Sequence, residues 1–177
     1  IKKIIEPTIK GLNKIGSQFV GFLYAGLMII ENEPFLIEYN VRMGDPECQA
    51  ILPKLKTDLV DVLIACTEKK LSSINIEWHK ENSLCIVVCS KGYPDKYENN
   101  IIIENIETIN LNETEFIYHA GTKNIQNKIY SNGGRVLNFV VLSNSFKLSR
   151  DRAIDLIEKL NWPSGFYRKD IGFKVIK

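Results

Sequence analysis

The spacing of apolar residues changes along the chain, and each change predicts a different structural element. Apolar residues within 1–15 recur at the spacing of an amphipathic helix, and Gly16 is a stop signal after it. Two apolar runs at 20–30 and 35–42 then flank a polar turn at 31–34. Two such runs joined by a short polar turn are typical of a β-hairpin. The chain is therefore expected to begin with a helix followed by an antiparallel hairpin.

Two further helices are expected after the hairpin. The first covers residues 49–56 and is short, because Pro53 interrupts it. The second runs through Cys66, and either Thr57 or Asp58 can cap its start by accepting a hydrogen bond from a backbone N–H group. With these elements, the first part of the chain combines an antiparallel sheet with helices.

A polar connector at 73–82 predicts a boundary between a first domain at 1–72 and a second domain at 83–177. Five strands and one helix are expected in the second domain. The strands lie at 83–90, 101–103, 115–120, 128–130 and 135–142, the last two forming a hairpin across 131–134, and the helix lies at 148–160. The predicted fold class is α+β.

The composition narrows the classes of partner. The chain has 177 residues, of which 45% are hydrophobic, so it can bury a sizeable core. Its formal charge is only +2 and its basic residues are spread along its length, which gives no reason to expect nucleic acid or a membrane surface as a partner. The longest apolar run is shorter than the ~20 residues of a membrane-spanning helix. A small anionic ligand remains compatible, and the sequence is expected to begin in the middle of a longer chain.

The four cysteines lack the spacing of a zinc site. They are Cys48, Cys66, Cys85 and Cys89, and none of them forms a pair separated by two residues. Cys85 and Cys89 share one face of a predicted strand and are expected to be buried free thiols. Free thiols favour a reducing, cytoplasmic location.

Alternation in the second strand of the hairpin suggests metal and anion binding. A strand advances ~3.3 Å per residue, so Glu38, Asn40 and Arg42 are expected to line one face while the apolar residues between them pack on a core. Carboxylate and amide oxygens suit Mg²⁺, which takes few protein ligands and shares the rest with water and phosphates. A guanidinium beside them suits a phosphate or carboxylate.

The same alternation also fits the solvated face of an antiparallel strand, which needs no ligand. Two details favour a site. Asn is uncommon inside strands, and the polar face runs into a turn that carries two more carboxylates, Asp45 and Glu47.

Several motifs in register resemble one enzyme family. The first part contains Gly21-Phe-Leu-Tyr-Ala-Gly-Leu-Met28 and Ile37-Glu-Tyr-Asn-Val-Arg-Met-Gly-Asp-Pro-Glu-Cys-Gln49, and the second contains Ser90-Lys-Gly-Tyr-Pro94, His119-Ala-Gly-Thr122, Asn132-Gly-Gly-Arg-Val-Leu137 and Phe166-Tyr-Arg-Lys-Asp-Ile-Gly172. Together they resemble the phosphoribosylamine–glycine ligase family of the ATP-grasp superfamily. The resemblance implies the second half of an ATP-grasp core, with an antiparallel sheet and helices, followed by a small mixed α/β C-terminal domain.

The resemblance assigns roles to residues of the hairpin. Glu38 and Asn40 would bind the Mg²⁺ or Mn²⁺ ions that bridge ATP phosphates, and Arg42 would stabilise an acyl phosphate or steer the small acid. Many members of the superfamily carry another glutamate one strand earlier, where this chain has Gly26. Met28 either touches the adenine or packs in a core.

Other candidate residues have two interpretations each. Asp45 and Glu47 either orient the ammonium of glycine or the amine nucleophile, or they belong to a turn and a helix start. Arg135 either binds the phosphate of phosphoribosylamine or is a surface residue of a hairpin turn, and residues 167–170 either close over substrate or fix the C-terminal segment. His119 begins a turn and is expected to be structural.

The activity that the resemblance implies is the ATP-dependent joining of glycine to 5-phosphoribosylamine through glycyl phosphate. The products are glycinamide ribonucleotide, ADP and phosphate, as in purine synthesis. The phosphate-binding lysines and the mobile flap of ATP-grasp enzymes precede this segment, so the missing N-terminal half would be a partner and the chain alone would be inactive. The alternatives are another ATP-grasp carboxylate–amine ligase, or a non-catalytic assembly module whose partner surface is formed by the hairpin and first helix.

Overall fold

The computed structural model describes residues 1–176, and their elements largely follow the expected order. The helices are α1 (Ile5–Lys14), α2 (Glu47–Ile51), α3 (Leu59–Thr67) and α4 (Phe146–Ile157). The strands are β1 (Tyr24–Ile30), β2 (Glu33–Asn40), β3 (Asn82–Ser90), β4 (Ile102–Ile103), β5 (Glu115–His119), β6 (Thr122–Ile125), β7 (Lys128–Ser131), β8 (Arg135–Ser143) and β9 (Gly165–Phe166). All pairs between these strands are antiparallel, which confirms the α+β class. No helix in this part of the chain is long and apolar enough to cross a membrane.

The chain divides into two compact units that are described separately. The first unit comprises Ile1–Asp45 and Leu55–Trp78, and the second comprises Pro46–Lys54 and the residues from His79 onward. Helix α2 therefore packs with the second unit, against β3 and β8. The domain boundary expected at 73–82 stays a prediction.

The first unit is built on the β1–β2 hairpin. Ile30 pairs with Glu33, so the loop consists only of Glu31 and Asn32, whose φ angles are 50° and 64°. Two consecutive positive φ angles give the turn a twist that matches the twist of the strands. Helix α1 lies beside the hairpin, where the hydroxyls of Thr8 and Tyr39 share a hydrogen bond.

A β-bulge interrupts the hairpin in the middle of β2. Gly26 pairs with Glu38 whereas the next residue of β1, Leu27, pairs with Leu36, which leaves Ile37 without a cross-strand partner. Ile37, the extra residue of the bulge, is 64% exposed. The expectation that the apolar residues of this strand pack on a core is wrong for Ile37 and for Val41, which is 74% exposed within the described residues.

The second unit contains the hydrophobic core. Its four-stranded sheet has the order β5–β8–β3–β9, and α4 covers one face of β3 and β8. Ser145 caps α4 by accepting a hydrogen bond from the Leu148 backbone N–H at 3.2 Å. The buried side chains beneath the helix come from alternate positions of both strands and from the inner side of α4: Leu84, Ile86, Val88, Leu137, Phe139, Val141, Ala153, Leu156 and Ile157.

A three-stranded sheet with the order β4–β7–β6 completes the second unit. Its β6–β7 hairpin turns at Gln126 and Asn127, which have φ angles of 50° and 61°. Strand β6 was not expected, because its four residues carry no apolar alternation. The expected hairpin between 128–130 and 135–142 is wrong: β7 pairs with β4 and β6, while β8 pairs with β3 and β5.

The physical reason lies in the glycine-rich segment between β7 and β8. Ser131 exchanges backbone hydrogen bonds with the 100–101 segment, both at 2.8 Å, and stays with the small sheet. Three residues later, the carbonyl of Gly134 accepts a hydrogen bond from the Ser90 N–H at 2.8 Å and joins the large sheet. The two glycines therefore carry the chain from one sheet to the other and do not reverse it.

Candidate functional site

The polar face of the hairpin brings four predicted positions together. Cross-strand partners project from the same face of a sheet, and the register pairs Gly26 with Glu38 and Tyr24 with Asn40. Met28 lies two positions beyond Gly26 on β1 and therefore shares this face, with half of its side chain exposed. Glu38 and Asn40, together with Gly26 and Met28, consequently form one surface.

Glu38 and Asn40 are in direct contact. The Asn40 side-chain amide donates a hydrogen bond from Nδ2 to Glu38 Oε1 at 3.0 Å. Glu38 is exposed, so its carboxylate remains accessible to a ligand, whereas Asn40 is half-buried and more constrained. One carboxylate and one amide are thus held at a single accessible place.

The missing side chain at Gly26 makes room for Glu38. A Cβ atom at position 26 would lie 3.0 Å from Glu38 Cγ and 3.7 Å from Glu38 Oε1. The first distance is tighter than ordinary contacts between side chains, so any larger residue would displace the carboxylate. The absence of a side chain at Gly26 therefore helps to set the position of Glu38.

These two oxygen-bearing side chains fit a partial site for a hard divalent cation. Within residues 1–176, no three His, Cys, Asp or Glu side chains are grouped so that they could enclose a metal ion. A carboxylate and an amide suit an ion that takes one or two protein groups and completes its shell with water and phosphate. The donor set favours a metal that arrives with a phosphorylated ligand over a permanently enclosed one.

Arg42 lies just beyond the strand on which it was expected. Strand β2 ends at Asn40, so Arg42 is not held by the ladder, and it is exposed. Its Nη1 donates to the Met43 carbonyl at 3.2 Å, which leaves further N–H donors of the guanidinium for an anion. The alternation of Glu38, Asn40 and Arg42 is therefore regular only as far as Asn40.

The two acidic residues of the turn belong to different units. Asp45 closes the first segment of the first unit and is exposed, while Glu47 begins α2 in the second unit and is half-buried. As the first residue of a helix, Glu47 places a negative charge near unsatisfied N–H groups. This position accounts for Glu47 structurally without excluding a role in binding.

The second unit contains a cavity of about 500 Å³ beside strand β3. Cys85 and Val87 alternate with the core residues of β3, so they face away from α4 and into this cavity. The lining is mostly apolar and aromatic and includes two arginines: Pro46, Cys85, Val87, Cys89, Tyr93, Pro94, Arg135, Phe166, Tyr167, Arg168 and Ile171. Arg135 was predicted from the sequence as a phosphate ligand, and Tyr167 and Arg168 belong to the segment that was predicted either to close over substrate or to fix the C-terminal segment.

Three of the sequence motifs meet at the edge of this cavity. A Cβ atom on Gly134 would lie 2.2 Å from Tyr93 Cδ2, so the Tyr93 ring lies close against the Gly134 backbone. A Cβ atom on Gly121 would lie 3.1 Å from Gly133 Cα, and Ser90 Oγ donates to the Gly133 carbonyl at 2.8 Å. The glycines are needed for these close backbone contacts, which lie directly before Arg135 in the chain.

The charged residues among those that line the cavity are Arg135 and Arg168. Arg135 pairs with Cys89 across the β8–β3 ladder. Burial raises the pKa of the Cys89 thiol, and the positive charge of Arg135 opposes this rise only in part. Both the burial of the thiol and its raised pKa favour the neutral form of Cys89.

Some cavity residues carry no clear signal in the sequence. Phe166 lies on β9, a two-residue strand that pairs with the end of β3, and such a short element has no recognisable periodicity. Cys89 is buried and all four cysteines are free, as expected, although Cys85 is only half-buried. His119 is exposed and its Nδ1 lies 2.9 Å from Thr122 Oγ1 across a turn, which fits a structural role.

Two family models match the chain. Residues 83–174 match the model described as "Phosphoribosylglycinamide synthetase, C domain". Residues 1–48 match the model described as "Phosphoribosylglycinamide synthetase, ATP-grasp (A) domain". The hairpin with Glu38 and Asn40 lies inside the second match, and all lining residues of the cavity except Pro46 lie inside the first.

Similar proteins carry matching names. A phosphoribosylamine–glycine ligase of Agrobacterium fabrum is 43% identical over 99% of this chain and 41% of its own length, and the chloroplastic enzyme of Arabidopsis thaliana is 39% identical over 100% of this chain and 34% of its own length. The crystal structure of the Thermotoga maritima phosphoribosylamine–glycine ligase matches 97% of this chain and 42% of that protein with a TM-score of 0.78 and 30% identity. The chain thus spans about two fifths of the relatives that it matches.

Proposed function

Because the chain belongs to the phosphoribosylglycinamide synthetase family, we propose that it is part of an enzyme that joins glycine to 5-phosphoribosylamine using ATP. The products are glycinamide ribonucleotide, ADP and phosphate, and the reaction belongs to purine biosynthesis. The observation that carries this proposal is the contact between Glu38 and Asn40 opposite Gly26, within the segment that matches the ATP-grasp model.

In the proposed reaction the glycine carboxylate attacks the terminal phosphorus of ATP and ADP leaves. The amine of phosphoribosylamine then attacks the carbonyl carbon of glycyl phosphate, loses a proton and displaces phosphate. Negative charge moves onto the transferring phosphoryl oxygens in the first step, and groups that stabilise this charge accelerate it. Arg42 is exposed and retains free N–H donors, so we assign it to the acyl phosphate.

Glu38 and Asn40 would hold the divalent metal, Mg²⁺ or Mn²⁺, through their side-chain oxygens. In the structure, Asn40 Nδ2 donates a hydrogen bond to Glu38. To bind the metal, the Asn40 amide would turn so that Oδ1 faces the ion. The bound metal supplies neutralisation of phosphate charge. The protein side chains determine where the metal would be held. Glu38 is placed on the polar face by the space at Gly26 and by the bulge at Ile37.

The substrates are assigned to the remaining candidates. Asp45 and Glu47 orient the ammonium of glycine or the incoming amine, and Met28 contacts the adenine from the half-exposed position that it occupies next to Gly26. Arg135 binds the phosphate of phosphoribosylamine. These roles follow from charge and exposure, and each can be tested separately in the assembled enzyme.

The rest of the enzyme is the proposed partner of the first unit. Exposed apolar side chains cover both strands of the hairpin, and large exposed apolar patches on a protein surface mark contacts with another chain or segment. They are Leu27, Met28, Ile29, Ile30, Phe35, Leu36, Ile37 and Val41. The N-terminal half of the enzyme would cover part of this surface and supply the remaining ATP contacts, so the chain alone would not turn over. With four free cysteines, we also propose a reducing location, the cytoplasm.

The decisive experiment measures glycinamide ribonucleotide formation by the chain combined with the missing half. Glu38→Ala should lower kcat by about 100-fold or more, because a group that stabilises transferring charge is lost. The matched control is Glu6→Ala, which removes an exposed carboxylate from α1 of the same unit and should leave kcat unchanged.

Four results would contradict the proposal. Near-normal kcat for Glu38→Ala at saturating Mg²⁺ would remove Glu38 from the metal site, and turnover by the chain alone would show that no second half is needed. If calorimetry detects no binding of magnesium nucleotide even after the missing half is added, the apolar hairpin would instead identify an assembly module. Preference for a small acid other than glycine would point to another ATP-grasp ligase.

A further inference from the structure

We infer that Cys48 and Cys85 form a redox-sensitive dithiol whose disulfide fastens helix α2 to strand β3. The inference does not depend on the proposed function. It is carried by the positions of the two cysteines, which lie on the two sides of one helix–sheet contact although they are far apart in the chain. The oxidant is a low-molecular-weight disulfide of the glutathione class.

The two cysteines belong to one face of the large sheet. Cys85 faces away from α4 and into the cavity, and Pro46, the residue before α2, lines the same cavity. Cys48 lies two residues after Pro46, in a helix that packs on β3 and β8. The fold therefore brings the helix that carries Cys48 onto the strand that carries Cys85.

Tyr118 lies close to both thiols. Its ring stacks on Phe116 with the ring centres 5.9 Å apart, and Phe116 lies in the same cross-strand row as Cys85, with Val140 between them. Burial raises the pKa of Tyr118, and the thiols of Cys85 and Cys48 raise it further. Charge effects of this kind act over short distances, so both thiols lie beside the same phenol.

The accessibility of the thiols separates this pair from the other cysteines. Cys48 and Cys85 are half-buried, whereas Cys89 is buried and burial raises the pKa of its thiol. Because the thiolate is the nucleophile in disulfide exchange, Cys89 is expected to be inert. Cys66 is also half-buried, but it is the only cysteine of the first unit.

Helix α2 is short and would gain stability from a covalent link. It has five residues, no side chain caps its start, and none of its residues is fully buried. A helix of this length is marginal without support from its surroundings. The disulfide would also close a long loop that includes residues 55–78 of the first unit. Cross-links across long loops remove much conformational entropy from the unfolded chain.

The oxidation consists of two thiol–disulfide exchanges. The Cys85 thiolate attacks one sulfur of glutathione disulfide, the S–S bond of the reagent breaks, and one glutathione leaves. The Cys48 thiolate then attacks the Cys85 sulfur of the mixed disulfide and displaces the second glutathione. The two protein thiols lose two electrons and two protons, and glutathione disulfide becomes two molecules of glutathione. In a reducing compartment the dithiol is the resting form.

The test is oxidation of the 177-residue chain with glutathione disulfide, followed by intact mass measurement and by labelling of the remaining thiols with N-ethylmaleimide. The oxidised chain should lose the mass of two hydrogen atoms and keep two of its four thiols, and dithiothreitol should restore all four. Its melting temperature should rise by about 5–15 °C, because a long loop is closed. Cys48→Ser and Cys85→Ser should each abolish both changes and stop at a mixed disulfide with glutathione.

Two control variants identify the partners. Cleavage after Lys80 and Lys91 leaves Cys85 and Cys89 in one tryptic peptide, so peptide mapping alone cannot distinguish them. Cys89→Ser and Cys66→Ser should form the disulfide as readily as the unchanged chain. Circular dichroism checks that each variant is folded, and Cys85→Ala is used if Cys85→Ser does not fold.

The inference is overturned if the chain keeps all four thiols in excess glutathione disulfide. It is also overturned if an internal disulfide persists in folded Cys48→Ser or is lost in folded Cys89→Ser, since another pair of cysteines would then be responsible. Cross-linked dimers on a non-reducing gel in place of an internal disulfide would contradict it as well. So would an unchanged melting temperature after the disulfide has formed, because α2 would then gain nothing from the link.

Discussion

The two units of this chain carry chemistry on very different supports. In the first unit, Ala65 is the buried apolar side chain that the structure shows, and the hairpin that bears Glu38 exposes apolar residues on both strands. In the second unit, a continuous core lies between the sheet and α4, and the cavity is formed on the opposite face of that sheet. The motif around Glu38 is therefore easy to recognise in the sequence, although it lies in the unit with few buried apolar side chains. The better-packed unit carries the residues that were harder to predict.

The largest expected effect tests this difference in packing directly. Phe139→Ala removes a fully buried ring from the core of the second unit and should lower the free energy of unfolding by about 3–5 kcal/mol. Ile37→Ser changes a residue that is 64% exposed and should change it by less than about 0.5 kcal/mol in the isolated chain. Urea unfolding of both variants measures the contrast. A large cost for Ile37→Ser would show that the hairpin is already covered in the isolated chain.

The second effect concerns the ion pair between the buried Glu115 and the partly exposed Arg152 of the second unit. Glu115 is 4% exposed and accepts two hydrogen bonds from Arg152, at 2.5 and 3.2 Å. Arg152→Met leaves this carboxylate with only its Asn112 donors and should cost about 2–3 kcal/mol at pH 7. Lys147→Met breaks the exposed ion pair with Asp151 and should cost less than about 0.5 kcal/mol, which makes it the matched control in denaturant unfolding.

The same pair predicts a dependence of stability on pH. Burial alone raises the pKa of Glu115, but hydrogen bonds and positive charge, chiefly from Arg152, lower it overall below its ordinary value of 4.5. A carboxyl whose pKa is lower in the folded state stabilises the fold fully above its unfolded pKa, and it loses this contribution as the pH falls through the folded pKa. Stability should therefore decrease below about pH 4.5, and this component of the decrease should be smaller in Arg152→Met. An identical acid profile for the variant would remove Glu115 as its cause.

The smallest effect compares two glycines, one in each unit. A Cβ atom on Gly134 would lie 2.2 Å from Tyr93, so Gly134→Ala should cost about 1–3 kcal/mol as the ring is displaced. Gly11 lies in α1 with nothing within 4 Å of its Cβ position, and Gly11→Ala should stabilise the helix by about 0.5–1 kcal/mol. Thermal unfolding should show a lower melting temperature for Gly134→Ala and a higher one for Gly11→Ala. A neutral Gly134→Ala would mean that Tyr93 is free to move, which would weaken its assignment as a cavity wall.

Local patterns predicted the parts of the fold that depend on local interactions. The polar stretch after Ile30 predicted the first hairpin, and Asp58 was correctly identified as a possible helix cap: its carboxylate accepts from the Val60 N–H at 2.7 Å. The resemblance, more than the alternation, singled out Glu38 and Asn40 as a pair. Their contact joins residues two positions apart, so the alternation placed them on one face, and the resemblance gave that face a function.

Long-range pairing was the part that local patterns could not predict. Strand β7 was predicted to pair with β8 because a Gly-Gly segment lies between them. In the structure, one end of that segment makes backbone hydrogen bonds with the small sheet and the other end with the large sheet. The cavity combines residues from Pro46 to Ile171, and no window of sequence contains enough of them to show a pattern. Arg168 looked equally suited to substrate binding and to fixing the C-terminal segment until the lining placed it beside the same space as Arg135.

The assignment of Pro46–Lys54 to the second unit limits where recombination can divide the gene without separating parts of this unit. Helix α2 lies against β3 and β8, so a gene segment that starts at residue 83 would encode the large sheet without the helix that packs against it. Exchange of the C-terminal part between relatives by recombination would then pair a sheet from one parent with a helix from the other. Residues 47–51 and the residues of β3 that contact them are therefore expected to change together during evolution, although more than thirty residues separate them.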